Sequence, residues 1–187
     1  MLSKSFIFTR RATSVRLFST QALLKSLEKK VTIETEELQE LLDSKVEDLA
    51  VLNSTILRRN YDPYEDHMLE RIPQSIYFDF KGFADPNTHL SYMMPDESHF
   101  TKMMRLINVR KHDKVIIYDK YRNISAPRTW FMLKQCYQMP YVWLLNGTFE
   151  KWAHEGRLIE RGETEGAKRK LQQDSNLEDF DFKLDKS

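Results

Sequence analysis

Cysteine, arginine, aspartate and histidine carry most of the chemistry this sequence has to offer, and their spacing limits it. Cys136 is the single cysteine of 187 residues. One thiol excludes an intrachain disulfide framework and any multi-cysteine zinc module. It falls beside Leu133 and Tyr137, where a cysteine more often serves as a small buried apolar residue than as a nucleophile. His67, His89, His99, His112 and His154 have no metal-ligand spacing and no cysteine partner, so neither a metal nor another cofactor is expected. Arg122 and Arg128 stand in and just after a short loop that runs into a helix start. Two guanidinium groups there could hold a small anion. Alternatively Arg128 pairs with Asp119 and stiffens the loop, and the Asp119 carboxylate repels an incoming anion; this pairing is the expectation. Tyr61, Tyr64, Tyr77 and Tyr92 read equally as an exposed aromatic patch for a partner and as loop packing.

The elements that position these residues follow from apolar patterning. Residues 21–30 form a short helical lead-in, and Val31-Thr32-Ile33 opens the folded part. Thr35 starts an N-capped helix carrying Leu38, Leu41 and Leu42 that ends near Ser44. Leu49 to Asn53 is a strand, and 58–71 a polar loop with a little helix around Pro63. Ile76 to Phe80 is a second clear strand, followed by a loop from Gly82 to Pro95. Asp96 starts a helix with Phe100, Met103, Met104 and Ile107 on one face. Val115 to Tyr118 is a buried strand, and 119–125 a loop. Pro127 sits in the first turn of the next helix, whose core residues are Trp130, Phe131, Met132 and Leu133, and Pro140 closes it. Tyr141 to Leu145 is a strand, Asn146-Gly147 a turn, and Phe149 to Ala153 a last helix that stops by Gly156. Residues 161–187 are charged and read as a solvated tail or as a segment that orders against another protein. Strands alternating with helices predict an α/β fold with a mostly parallel sheet. Ligands in such folds bind beyond the carboxyl ends of the strands, where the 119–125 loop lies.

Charge separates the ends of the chain. Lys plus Arg is 29 and Asp plus Glu is 28, which gives no general reason to expect nucleic acid as partner. Residues 1–20 hold Lys4, Arg10, Arg11 and Arg16 and no acid, leaving 25 basic against 28 acidic residues beyond them. A basic, Ser/Thr-rich, acid-free start predicts a mitochondrial transit peptide, with processing near Arg16 to Ser19. No run of 18 apolar residues exists, so no transmembrane helix is expected.

Four segments, in order and at matching spacing, resemble the rhodanese domain. They are Arg71-Ile72-Pro73-Gln74-Ser75 with Phe78-Asp79; His89-Leu90 through Met94-Pro95; Tyr118-Asp119 with Ser125-Ala126-Pro127-Arg128 and Trp130; and Leu145-Asn146-Gly147 with Trp152 and Glu155-Gly156-Arg157. Residues 31–160 are most similar to the first, non-catalytic domain of tandem thiosulfate and mercaptopyruvate sulfurtransferases. The resemblance implies a mostly parallel sheet of about five strands with helices on both faces.

It also implies where the nucleophile should stand. Active rhodanese domains carry a cysteine just after the central strand, where backbone N–H groups and a helix dipole hold its thiolate and persulfide. Here that position is Asp119, and the degenerate loop Asp119, Lys120, Tyr121, Arg122, Asn123, Ile124 and Ser125 contains no thiol. Arg71 replaces the family's histidine. Gln74 and Thr148 replace glycines, so the family's turn geometry is not assumed at either place. Phe180 to Asp185 looks like the linker leading into a second domain, so the chain reads as the half of a tandem enzyme without the nucleophile. The expected function is a catalytically inactive structural or interaction module. Its expected place is a large mitochondrial assembly such as a respiratory-chain complex, in the matrix or peripheral to the matrix side of the inner membrane. The alternatives are a half-enzyme completed in trans by a Cys-bearing rhodanese domain, and a binding module that uses the 119–128 loop for a small anion or sulfur compound.

Overall fold

A computed structural model of the chain describes residues 20–56, 62–163 and 177–185. Residues 1–19 of the expected transit peptide, Tyr61 and residues 164–176 of the charged stretch lie outside the described residues. Five strands form one sheet: β1 (Thr32–Ile33), β2 (Leu49–Asn53), β3 (Ser75–Tyr77), β4 (Lys114–Tyr118) and β5 (Val142–Leu145). Their order is β1-β5-β4-β2-β3, and every pairing is parallel. The described residues form six α-helices, α1 (described over 20–27) before β1, α2 (Thr35–Asp43), α3 (Pro63–Leu69), α4 (Glu97–Leu106) and α5 (Ala126–Phe131) between successive strands, and α6 (Thr148–His154) after β5.

Both faces of the sheet are covered, as side-chain alternation along a buried parallel strand requires. Val115 and Ile117 of β4 join Leu52, Phe78, Phe100, Leu133 and Tyr137 in one core. Ile116 and Tyr118 join Leu38, Leu41, Trp143, Phe149 and Trp152 in the other. The lead-in belongs to this second core, because Leu27 is fully buried and its carbonyl accepts the Trp143 indole N–H at 2.8 Å.

Several local expectations change. The cap of α2 is Glu34, not Thr35: Glu37 Oε2 accepts the Glu34 N–H at 2.9 Å, and the Thr35 hydroxyl donates to Glu155 at 2.6 Å. The strand expected over 76–80 is limited to Ser75–Tyr77, although Phe78 and Phe80 stay buried. Phe131 is exposed rather than a core residue. Helical periodicity turns Ala126, Thr129 and Leu133 inward and so turns Phe131 out. One π turn, Met132–Cys136, then ends this helix.

The stretch expected as a solvated tail includes residues that close the first core. Phe180 and Phe182 are buried, Phe182 meeting the Phe100 ring edge-on at 5.1 Å. The Lys111 N–H donates to Asp179 O, and the Asp185 N–H to Cys136 O. Three apolar side chains in six residues, Phe180, Phe182 and Leu184, supply the burial that charge counting overlooked.

Candidate functional site

The chain leaves β2 towards β3 on one side and leaves β4 towards β5 on the other. The carboxyl ends of these two neighbours therefore flank the switch point where ligands enter open α/β sheets. Asn53 ends β2, and Asp119 follows β4.

Asp119 is 1% exposed, and its carboxylate is the hub of the following loop. Oδ1 accepts the N–H groups of Tyr121 and Asn123, each at 3.0 Å. Oδ2 accepts the N–H groups of Ser125 at 2.9 Å and Ala126 at 3.0 Å, and the Ser125 hydroxyl at 3.3 Å. Arg122 and Asn123 both take left-handed backbone, with φ of 57° and 55°, which curls the loop around one centre. Successive inward N–H groups of this kind form an anion-binding nest. The anion in it is the chain's own carboxylate.

The expected Asp119–Arg128 pair does not form. Arg128 is exposed and lies over the Phe80 ring, 5.5 Å from its centre, because the loop backbone already satisfies Asp119. Arg122 is exposed as well, and neither arginine enters an ion pair among the described residues. Of the loop residues, Asp119, Lys120 and Ser125 are buried and Asn123 is half-buried, while Tyr121 and Ile124 face outward.

Under the loop lies a polar network that the sequence did not single out. The Lys120 ammonium is 4% exposed, 2.6 Å from Asp66 O and 2.9 Å from Asp66 Oδ2, and it lies over the Phe149 ring. Asn53 Nδ2 is 3.0 Å from His67 Nδ1, its Oδ1 accepts from Thr55, and the Thr55 hydroxyl accepts the Lys120 N–H. Burial, with Arg71 and Lys120 nearby, pushes the His67 pKa down to about 3, so the ring is neutral and Asn53 donates to it. Arg71, fully buried, donates to His67 O and Gly162 O. Burial raises the Tyr118 hydroxyl's pKa, and this group bridges Ser75 and the Ile72 N–H. Asn53, a polar residue closing an apolar strand, was the one available signal for this network.

Elsewhere, Cys136 is half-buried in the π turn, and burial followed by Asp185 raises its pKa. His99 is 2.7 Å from Gly82 O, and His89, His112 and His154 are exposed. No three of the described His, Cys, Asp or Glu residues could hold a metal ion together. Tyr64 and Tyr77 meet edge-on at 5.5 Å, and Tyr92 packs against Phe80. Gln74 and Thr148, at the glycine positions, both take left-handed backbone with φ of 62°.

The family profile described as the rhodanese-like domain matches residues 34–155. The chain belongs to this family. Thiosulfate/3-mercaptopyruvate sulfurtransferase 2 of Arabidopsis thaliana is 30% identical over 115 residues, which are 60% of this chain and 33% of that one. The chain thus spans about a third of the length of this relative. SseA of Escherichia coli, a 3-mercaptopyruvate sulfotransferase, has the same fold, with a TM-score of 0.67 at 23% identity over 78% of this chain and 56% of that one. So does the sulfur transferase subunit of yeast mitochondrial complex I, with a TM-score of 0.61 at 20% identity over 76% and 52%. No helix among the described residues is long and apolar enough to cross a membrane.

Proposed function

We propose that this rhodanese-like domain is catalytically silent and serves as an interaction module in a mitochondrial assembly. The observation that carries this reading is the Asp119 carboxylate held by four backbone N–H groups. The resemblance puts the sulfur-carrying cysteine at that position. A carboxylate has no sulfur atom to accept a sulfane sulfur. It also fills the nest that would stabilise a thiolate or persulfide. Cys136 lies outside the 119–125 loop, in the Met132–Cys136 turn, where burial and then Asp185 raise its pKa. The degenerate loop 119–125 then acts as a fixed structural turn.

Two further observations support the mitochondrial placement. The first 20 residues have the composition of a transit peptide. The same fold in a sulfur transferase subunit of yeast mitochondrial complex I is consistent with a place in such an assembly. Gentle solubilisation of mitochondria followed by native gel separation tests the proposal. Co-migration with a large complex that lacks thiosulfate–cyanide transferase activity is the expected result. Migration of the protein as a free monomer overturns it.

The sulfurtransferase relatives favour one second reading, a half-enzyme completed by a separate Cys-bearing domain. Equimolar recovery of such a chain, with transferase activity in the same fraction, is its signature.

A further inference from the structure

We infer that the outer face of the 119–131 segment is the docking surface, and that its occupant is a protein surface with an apolar centre and an acidic rim. The inference rests on the interaction-module reading and specifies where the partner sits.

The same constraint that closes the nest builds this face. Asp119 draws the loop backbone inward, which leaves the side chains of Tyr121 and Ile124 pointing out, 41% and 68% exposed. The inward turn of Ala126, Thr129 and Leu133 leaves Phe131, six residues after Ser125, exposed as well, at 52%. Arg128, exposed on the same segment, lines a small cavity with Phe80, Tyr92 and Met93, the last 44% exposed. Apolar side chains around exposed arginine, with tyrosine and phenylalanine among them, have the composition of an interface centre.

Charge selects the occupant. Residues 120–149 contain no Asp or Glu. Asp119 is turned inward, so the exposed charges of the segment are the cations Arg122 and Arg128, with no ion-pair partner among the described residues. A partner must supply the carboxylates, which steer association and fix its register. A membrane surface is less well matched. The face lacks the long lysine-rich amphipathic helix that lies on lipid, and α5 has only six residues.

The test places a photo-crosslinking phenylalanine derivative at position 124 of the full chain in isolated mitochondria, with position 106 as comparison. Leu106 is similarly exposed, at 58%, but lies on α4. The expected result is one discrete protein adduct at 124, with an acidic cross-linked peptide, absent at 106. Its yield falls at least fivefold in the Arg122→Glu, Arg128→Glu double variant and in high salt. Both substitutions are at exposed positions, so an unchanged melting temperature accompanies the loss, and Ile124→Ser competing poorly against the wild-type chain for the same site gives an independent readout. A self-adduct, a lipid adduct alone, equal labelling at 106, or insensitivity to charge reversal overturns the inference. A chain that co-migrates with a large assembly but gives no adduct at 124 removes this face and leaves the interaction-module reading intact. A free monomer removes both.

Discussion

Replacing Asp119 by Asn removes one negative charge and almost no volume, so it isolates what the carboxylate does. Both oxygens are fully committed, Oδ1 to two N–H groups and Oδ2 to two N–H groups and a hydroxyl. An amide keeps one acceptor oxygen and turns the other atom into a donor facing donors. At least two part-buried or buried loop N–H groups then lose their partner, at about 1–3 kcal/mol each. The expected destabilisation is about 3 kcal/mol, or a fall of roughly 6–12 °C in melting temperature for a chain of this size. Asp119→Ala removes the acceptor altogether and opens a nest of its own dimensions. Formate or acetate should enter it, and at a hundredfold excess over its dissociation constant should restore about 2.7 kcal/mol. Calorimetry with and without formate measures both effects. Asp119→Asn melting within 2 °C of the parent, or formate raising the parent and Asp119→Ala equally, would refute the account of the loop as a self-filled anion nest.

Three other outcomes follow from the structure. His67 is neutral in the folded protein, with a pKa of about 3 against 6.5 for the ordinary side chain. The unfolded chain takes up the proton first, so this contribution to stability is full above pH 6.5 and is lost as pH falls towards 3. Between pH 6.5 and 5 the loss is on the order of 2 kcal/mol, and His67→Asn should flatten the urea-denaturation pH profile over that interval. Gln74→Gly relieves left-handed backbone at an exposed position while leaving the Gln74 N–H to Glu160 in place, and should raise stability by about 0.5–1 kcal/mol in thermal melts. Phe182→Ala should cost about 3–4 kcal/mol in chemical denaturation; a change under 1 kcal/mol would mean that 177–185 is not part of the core.

Much of the fold was legible because its signals are local. The buried run Val115 to Tyr118, the Asp96 start of α4 and the Pro127 start of α5 each depend on a few neighbouring residues, and the structure places all three as expected. Boundaries set by packing were less legible. Thr35 has the side chain of a cap, yet Glu34 takes that place, and Glu155, 120 residues away, engages the Thr35 hydroxyl. The tail looked solvated by its charge, but Phe180 and Phe182 find their partners on α4.

The sequence by itself determined the α/β class, the family resemblance, and the presence of a carboxylate directly after the central strand. These depend on residue identity and on periodicity along the chain. Only the tertiary structure decided what that carboxylate does. Arg128 was the obvious partner in sequence, yet four loop N–H groups reach Asp119 first because two left-handed residues curl the backbone around it. It likewise decided that Lys120 meets Asp66 and Asn53 meets His67 in buried pairs, and that Tyr121, Ile124 and Phe131 remain exposed. Such outcomes depend on directions and distances between segments far apart in the chain, and neither composition nor spacing encodes them.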